Sequence, residues 1–219
     1  MRLLSSLSLA MLPATPENKF KKLYKKMDAT SKTRFHYSRR MKLHAKWSTW
    51  VVVGISLALI LTSLLQAYEL GSNIGSKYFS LFQVFSSIAV LVYSLMISKN
   101  DYSSQAEKMY SCASQIGSLK SEAYPYLVGD DQAKYVEIDG KYQQILKLFE
   151  ANSMNDFRAD YWRAQLEMEE EYPFTCVERA WLNFKWWSSY AADFFVYPLF
   201  AVVYLCLIWW IWLGDKTAV

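Results

Sequence analysis

The side chains best suited to catalysis or metal binding in this 219-residue chain are few and form no familiar set. The carboxylates of Glu167 and Glu169–Glu171 lie at helical spacing, which is more typical of a solvated helix end than of an acid/base cluster. The only histidines are His36 and His44, and without a CxxC pair they make no zinc ligand set. The seven glycines form no phosphate-binding loop. We therefore predict no catalytic residue, no metal and no cofactor.

Polar side chains instead recur inside two long apolar stretches, along one helical face of each. They are Ser56, Ser63 and Gln66 in the first stretch and Ser80, Gln83, Ser87 and Ser94 in the second. Polar groups in lipid need water or protein partners, so these faces could line a water-filled path once several hairpins assemble. Tight helix packing, with serine hydroxyls bonded to their own backbone, would explain the same pattern. Without ionisable groups in these stretches, the sequence disfavours a proton pump or an ion-coupled transporter.

The elements that carry these residues are uncharged stretches of about 21 residues, each long enough to cross a ~30 Å hydrocarbon core as a helix. They are Ser48–Tyr68, Tyr78–Ser98 and Phe194–Gly214. Tryptophan and tyrosine cluster at their ends, as expected at the headgroup level. The sequence predicts an all-α integral membrane protein. We expect an N-terminal basic helix, a transmembrane hairpin, a cytoplasmic helical region and a third, C-terminal transmembrane helix.

Charge predicts the orientation. Residues 1–47 carry 12 of the 24 lysines and arginines, whereas the loop at 69–77 carries one. The positive-inside rule therefore places the N-terminus and residues 99–190 in the cytoplasm. Residues 1–17 lack a clean cleavage site, and we expect a disordered or interfacial lead there rather than a cleaved signal.

Residues 18–46 have the pattern of a basic amphipathic helix, with a weaker stretch at 28–33 where the helix could break. Its membrane-proximal cations are Arg34, Arg39, Arg40, Lys42 and Lys46. Such a helix attracts anionic headgroups and sets topology. The same charge could bind nucleic acid, receive an acidic ligand or dock a partner, and these alternatives stay open.

After the second stretch, the chain continues as a helix with a heptad pattern of apolar residues. These are Tyr102, Met109, Cys112, Ile116 and Leu119. Such a seam pairs with another helix of the same chain or of a neighbouring subunit, and we predict that it carries homo-oligomer contacts. A second seam begins at Tyr135.

The later cytoplasmic helices have cap and stop signals. Ser153 and Asn155 offer caps for a helix over Asp156–Glu171. Thr175-x-x-Glu178 is a capping-box pattern, from which helix can run directly into the third span, with a kink at Pro198.

Two segments carry a family resemblance. The run at 34–48, RFHYSRRMKLHAKWS, is a basic, Arg/His-containing helix that enters the first span. The run at 101–113, DYSSQAEKMYSCA, leaves the second with Tyr, Ala-Glu-Lys and Cys. Together, over about residues 18–126, they resemble the SLATT domains, the SMODS- and SLOG-associating two-transmembrane effectors of bacterial defence islands. The third span and residues 130–190 look like the subgroup encoded beside reverse transcriptases.

The resemblance implies an antiphage effector that oligomerises and permeabilises or depolarises the bacterial inner membrane. Its trigger would be a defence partner, a reverse transcriptase or nucleotide cyclase, or that partner's nucleotide or nucleic-acid product. The family has no catalytic residues to carry over. The alternative is a non-pore membrane scaffold or anchor that recruits a cytoplasmic enzyme or nucleic acid.

The expected organisation has four parts. A lead at 1–17 precedes a SLATT-like unit at 18–126, whose spans lie at 48–68 and 78–98. A cytoplasmic helical region follows at 127–190, and the third transmembrane helix lies at 191–214.

Overall fold

The computed structural model describes residues 19–70, 77–127, 131–149, 157–168 and 172–213. In order, its elements are α1 (Lys19–Ala67), α2 (Lys77–Asn100), α3 (Tyr102–Ala123), a 3-10 turn (Tyr124–Tyr126), α4 (Gln132–Leu148), α5 (Arg158–Leu166), α6 (Cys176–Phe194) and α7 (Val196–Leu213). These described ranges contain helices and no strand, which confirms the all-α prediction. The predicted lead at 1–17 and the proposed caps Ser153 and Asn155 lie outside them.

The basic helix and the first membrane span form one continuous helix, α1, of 49 residues. The weak stretch at 28–33 is helical throughout, so the suggested break is absent. Two hydroxyls there bond one turn back along the helix, from Thr30 Oγ1 to the Lys26 carbonyl at 2.8 Å and from Thr33 Oγ1 to the Ala29 carbonyl at 2.7 Å. The carboxylate of Asp28 is also paired, with Lys32 on α1 and Lys120 on α3. Local polar groups are thus satisfied without ending the helix.

α1 and α3 pack antiparallel along a fixed register. Ser31 Oγ donates to the Ala113 carbonyl at 2.9 Å, and Ser38 Oγ donates to the Ala106 carbonyl at 2.7 Å. A step of seven residues forward on α1 therefore matches a step of seven back on α3, as in an antiparallel coiled coil. Both alanines are fully buried, and their small side chains let the two backbones approach.

The predicted seam residues lie inside this chain. Met109, Cys112, Ile116 and Leu119 are buried, and Tyr102 is half-buried. The main core joins α1, α3 and α4 through Phe20, Leu23, Met27, Cys112, Ile116, Leu119, Ala123, Ile138 and Tyr142. The heptad pattern on α3 could have been covered by a helix of the same chain or of a neighbouring subunit. Among the described residues, it is covered by helices of the same chain. Burial also raises the pKa of the Cys112 thiol, which keeps it protonated.

Two long helical segments, α1 and the α2–α3 segment Phe79–Tyr126, are long and apolar enough to cross a membrane. A single residue, Asp101, separates α2 from α3; it is left-handed, with φ of 40°, and its carboxylate caps the Ser104 amide at 3.3 Å. A third span forms if α6 and α7 are counted together as one bent helix. Membrane-spanning helices are thus present as predicted.

The helix that leads into the third span is bent, because α6 and α7 meet at an angle of 49°. The turn is at Phe195, shortly before Pro198. Proline has no amide to donate to the carbonyl four residues back, which here belongs to Phe194, and its ring crowds that carbonyl. The predicted kink therefore appears one turn before the proline.

The predicted caps of the later helices have mixed outcomes. The capping box is confirmed, because Thr175 Oγ1 accepts from the Glu178 amide while the Glu178 carboxylate accepts from the Thr175 amide at 2.9 Å. The predicted helix at 156–171 is shorter than expected: α5 ends at Leu166, and Phe157 precedes it without a side-chain cap.

The α1–α3–α4 core predicts a large penalty for Ile116→Ala. The isoleucine is fully buried, so truncation leaves a cavity and should lower the free energy of unfolding by about 3 kcal/mol. The control Val136→Ala, on the exposed face of α4 at 60% exposure, should change it by less than about 0.5 kcal/mol. Thermal unfolding of the full chain in detergent would measure both. Equal effects would contradict this packing.

Candidate functional site

The polar stripes of the first two spans meet within the membrane hairpin. Gln83 on α2 donates through Nε2 to Ser63 Oγ on α1. Ser63 and Ser87 also donate to carbonyls of their own helices, of Leu59 at 2.8 Å and of Gln83 at 2.9 Å. The structure thus combines backbone-bonded serines with a contact between the stripes.

Exposure divides the seven predicted stripe residues into two groups. Ser63, Ser80 and Ser87 are exposed, whereas Ser56, Gln66, Gln83 and Ser94 are partly exposed. The most buried polar side chains in the spans are others, Ser48, Thr62 and Ser86, at 1%, 4% and 7% exposure. Sequence reasoning did not select these three, because periodicity does not show which face meets a neighbouring helix. One chain thus leaves part of its polar stripe outward at membrane depth.

The five membrane-proximal cations do not form one surface. Arg39 and Lys46 are exposed, and Lys42 is exposed with its ammonium 5.1 Å from the Tyr110 ring centroid. Arg34 is instead partly buried, with its guanidinium carbon 3.9 Å from the centre of the Phe157 ring. Arg40 pairs with carboxylates of two other helices. Only three of the five are therefore exposed to headgroups or a ligand.

Arg40 joins α1 to both α5 and α6. Its Nε and Nη2 donate to Asp160 Oδ2 at 3.2 and 2.9 Å, and its Nη1 donates to Asp193 Oδ2 at 2.7 Å. Burial works against the charge of Arg40, but the two carboxylates outweigh it and raise the pKa of Arg40 above its ordinary value. Burial in turn raises the pKa of Asp160, which is 3% exposed, although Arg40 opposes that shift. Arg40 therefore stays cationic and links α1 to both α5 and α6.

His44 lies one turn further along α1, in an aromatic stack. Its ring centroid is 4.2 Å from that of Phe194 and 5.6 Å from that of Tyr102, with both rings close to parallel. Its Nδ1 is 2.9 Å from the Tyr197 hydroxyl. Burial lowers the pKa of His44; Asp193 opposes this shift and Arg40 adds to it. The imidazole is therefore neutral at pH 7 and serves as a packing and hydrogen-bonding group.

These residues form a juxtamembrane junction, defined as Arg40, His44, Asp160, Asp193 and Tyr197. The first two belong to α1, Asp160 belongs to α5, and Asp193 and Tyr197 flank the bend between α6 and α7. The junction therefore connects α1, α5 and α6 directly to the third apolar helix, α7.

Glu167 supports the same arrangement from the end of α5. Its carboxylate lies 3.0 Å from His36 Nε2 on α1 and 3.3 Å from Arg163 Nε. Glu167 is thus an exposed residue at the end of α5 that also contacts α1, while Glu169–Glu171 lie outside the described residues. Pairs such as Arg40–Asp160, 120 positions apart, left no local signal in the sequence. In the described part of the chain, no group of three or more His, Cys, Asp or Glu side chains is arranged to hold a metal ion.

The two carboxylates of the junction should contribute unequally to stability. Asp160→Asn leaves the mostly buried Arg40 with one partner fewer and should lower the free energy of unfolding by about 3 kcal/mol. Asp193→Asn, at the more solvent-exposed contact, should cost about 1 kcal/mol. Thermal unfolding of both variants in detergent provides the comparison. An equal or reversed order would contradict the assigned burial.

Comparison with known proteins gives one family match. The model of the SMODS and SLOG-associating 2TM effector domain, family 5, matches residues 16–213. No curated protein and no solved structure gives a significant match. The match confirms the resemblance inferred over 18–126 and extends it through α7. It implies a two-transmembrane effector domain of defence systems, a membrane-helix domain outside the known enzyme families. The chain belongs to the SMODS and SLOG-associating two-transmembrane effector domain family 5.

Proposed function

We propose that this effector self-associates in the bacterial inner membrane and opens a water-filled path lined by α1 and α2. The observation that carries the proposal is the Gln83–Ser63 contact, which aligns the two polar stripes while Ser80 and Ser87 stay exposed among apolar neighbours. A polar group facing hydrocarbon is unfavourable, and water or a second polar helix relieves the cost. Stripes from several copies would satisfy one another around a hydrated centre.

Assembly of copies would use lipid-facing surfaces. The heptad seam on α3 is already buried against α1, so its residues are unavailable without unpacking the chain. Large apolar side chains on α1 and α2 remain exposed, among them Leu57 at 61% and Phe85 at 71%. Helix contacts in lipid rely on such faces together with interhelical hydrogen bonds. The hairpin is therefore the proposed homo-oligomer contact.

The trigger in this proposal acts on the cytoplasmic side. The excess of lysine and arginine in residues 1–47 supports an N-terminus inside, with the exposed Arg39, Lys42 and Lys46 available to an acidic signal or to lipid phosphates. A reverse transcriptase or nucleotide cyclase, or its nucleotide or nucleic-acid product, is the proposed source. The junction would pass a shift of α5 and α6 to α7.

The stripe predicts which substitutions abolish membrane permeabilisation. Gln83→Leu combined with Ser87→Ala removes the middle of the polar face of α2, between Ser80 and Ser94, and triggered depolarisation should fall by about tenfold or more. The matched control is Ser86→Ala, the neighbouring serine, which is buried at 7% exposure and lies against α7. The Ser86→Ala variant should depolarise the membrane as strongly as the original chain does. A potential-sensitive dye in expressing cells gives the readout, with protein abundance measured in parallel.

Two outcomes would overturn the pore proposal. Depolarisation by the double variant at normal abundance would show that the stripe lines no path. The second outcome is that the original chain and its triggered partner leave the membrane potential intact while the partner is held at the membrane. This result would favour the non-pore scaffold.

A further inference from the structure

A large apolar groove runs between α1 and the bent pair α6–α7. Its volume is about 1070 Å³. Aromatic side chains from both sides form its walls, and small residues form its floor; among the lining residues are Trp50, Gly54, Ala58, Trp187, Phe194 and Ala201. The lining is predominantly apolar, and its side-chain polar atoms belong to tryptophan and tyrosine rings, among them the buried Tyr204 hydroxyl, which has no hydrogen-bond partner in the described part of the chain.

We propose that this groove binds one anionic phospholipid, whose acyl chain lies along α1 and whose phosphate lies beside Lys46. This inference does not depend on the proposed pore. Three observations carry it: the length of the groove, the charge at its mouth and the open space at Gly54.

The groove has the length of one membrane leaflet. On α1, which is described through Ala67, the lining runs from Trp47 to Ala58. At about 1.5 Å per residue this is about 16 Å, close to half of the ~30 Å hydrocarbon core. A transmembrane helix of a second copy would pack along the whole span, whereas an acyl chain ends at the bilayer midplane. The length therefore favours a lipid.

The mouth of the groove carries positive charge. Lys46 is exposed, has no carboxylate partner among the described residues, and lies one helical turn before Trp50, on the same face of α1. Trp47 and Trp50, at 51% and 63% exposure, lie at the depth where indole rings meet headgroups. A lipid phosphate beside this lysine would gain a favourable charge contact that a neutral headgroup would not.

Gly54 opens the floor of the groove. A Cβ built at this position meets no atom within 4 Å, so the space above it is empty of protein. The groove is also continuous with lipid-facing side chains such as Leu57 on α1 and Val202 on α7, at 61% and 55% exposure. Acyl chains therefore have direct lateral access from the bilayer.

The test uses variants that fill the groove. Gly54→Leu should fill the space without a clash inside the chain, and Ala201→Phe fills it from α7. The matched control is Gly140→Leu on α4, where a Cβ also meets nothing within 4 Å. The full chain, delipidated in detergent, is titrated with phosphatidylglycerol and separately with phosphatidylethanolamine, and bound lipid is counted by native mass spectrometry. The original chain and the control should each hold one phosphatidylglycerol.

Both groove variants should bind phosphatidylglycerol about tenfold or more weakly, because the acyl chain and the new side chain exclude each other. Lys46→Gln should retain a lipid but lose the preference for phosphatidylglycerol over phosphatidylethanolamine. Unchanged lipid binding in both groove variants would overturn the proposal. If the groove variants also lost the cross-links that Trp50→Cys forms between copies, while their lipid binding stayed unchanged, the occupant of the groove would be a second chain.

Discussion

The antiparallel packing of α1 on α3 is the constraint on which the rest of the structure depends. Seryl hydroxyls of α1 bond carbonyls of α3 at two points seven residues apart, and buried alanines keep the backbones close. These bonds fix rotation and register together, because a slip of one residue would leave both hydroxyls buried without partners. Phe20 and Met27 then face the core shared with α4, while Arg40 and His44 face α5, α6 and α7. The position of the junction is therefore a consequence of the register.

Much of the fold follows from patterns that are local in sequence. The spans were predictable because hydrocarbon requires uncharged helices of a set length, and α1, α2 and α7 end within a few residues of the predicted limits. The capping box of Thr175 and Glu178 was predictable for the same reason, since both of its residues lie within one helical turn. The heptad on α3 marked a buried face, but a heptad alone does not say which helix covers it. Here, the covering helix is in the same chain.

The candidate site was harder to predict, since its contacts join distant parts of the chain. Arg34 and Arg40 have the same sequence character as Arg39, yet one stacks on Phe157 and the other pairs with Asp160. Only the packing of α5 against α1 gives these three arginines different environments. The bend at Phe195 was predictable only as a kink near Pro198, because a proline predicts a kink but not its angle. The stripe residues Ser63 and Gln83 are adjacent as expected, although Ser48, Thr62 and Ser86 are more deeply buried polar residues of the described spans.

The two helical segments of the hairpin, α1 and α2–α3, differ in whether the helix is interrupted. α1 has no interruption over its 49 residues, about 74 Å at 1.5 Å per residue, so it behaves as a stiff lever. A tilt of about five degrees at its N-terminal end displaces the far end by about 6 Å, a distance comparable to the spacing of neighbouring acyl chains within a leaflet. The other segment of the hairpin, α2–α3, is interrupted at Asp101, whose left-handed conformation breaks the regular helix geometry between α2 and α3. Motion of the outer helices would thus enter the bilayer through α1, and α2 would accommodate it.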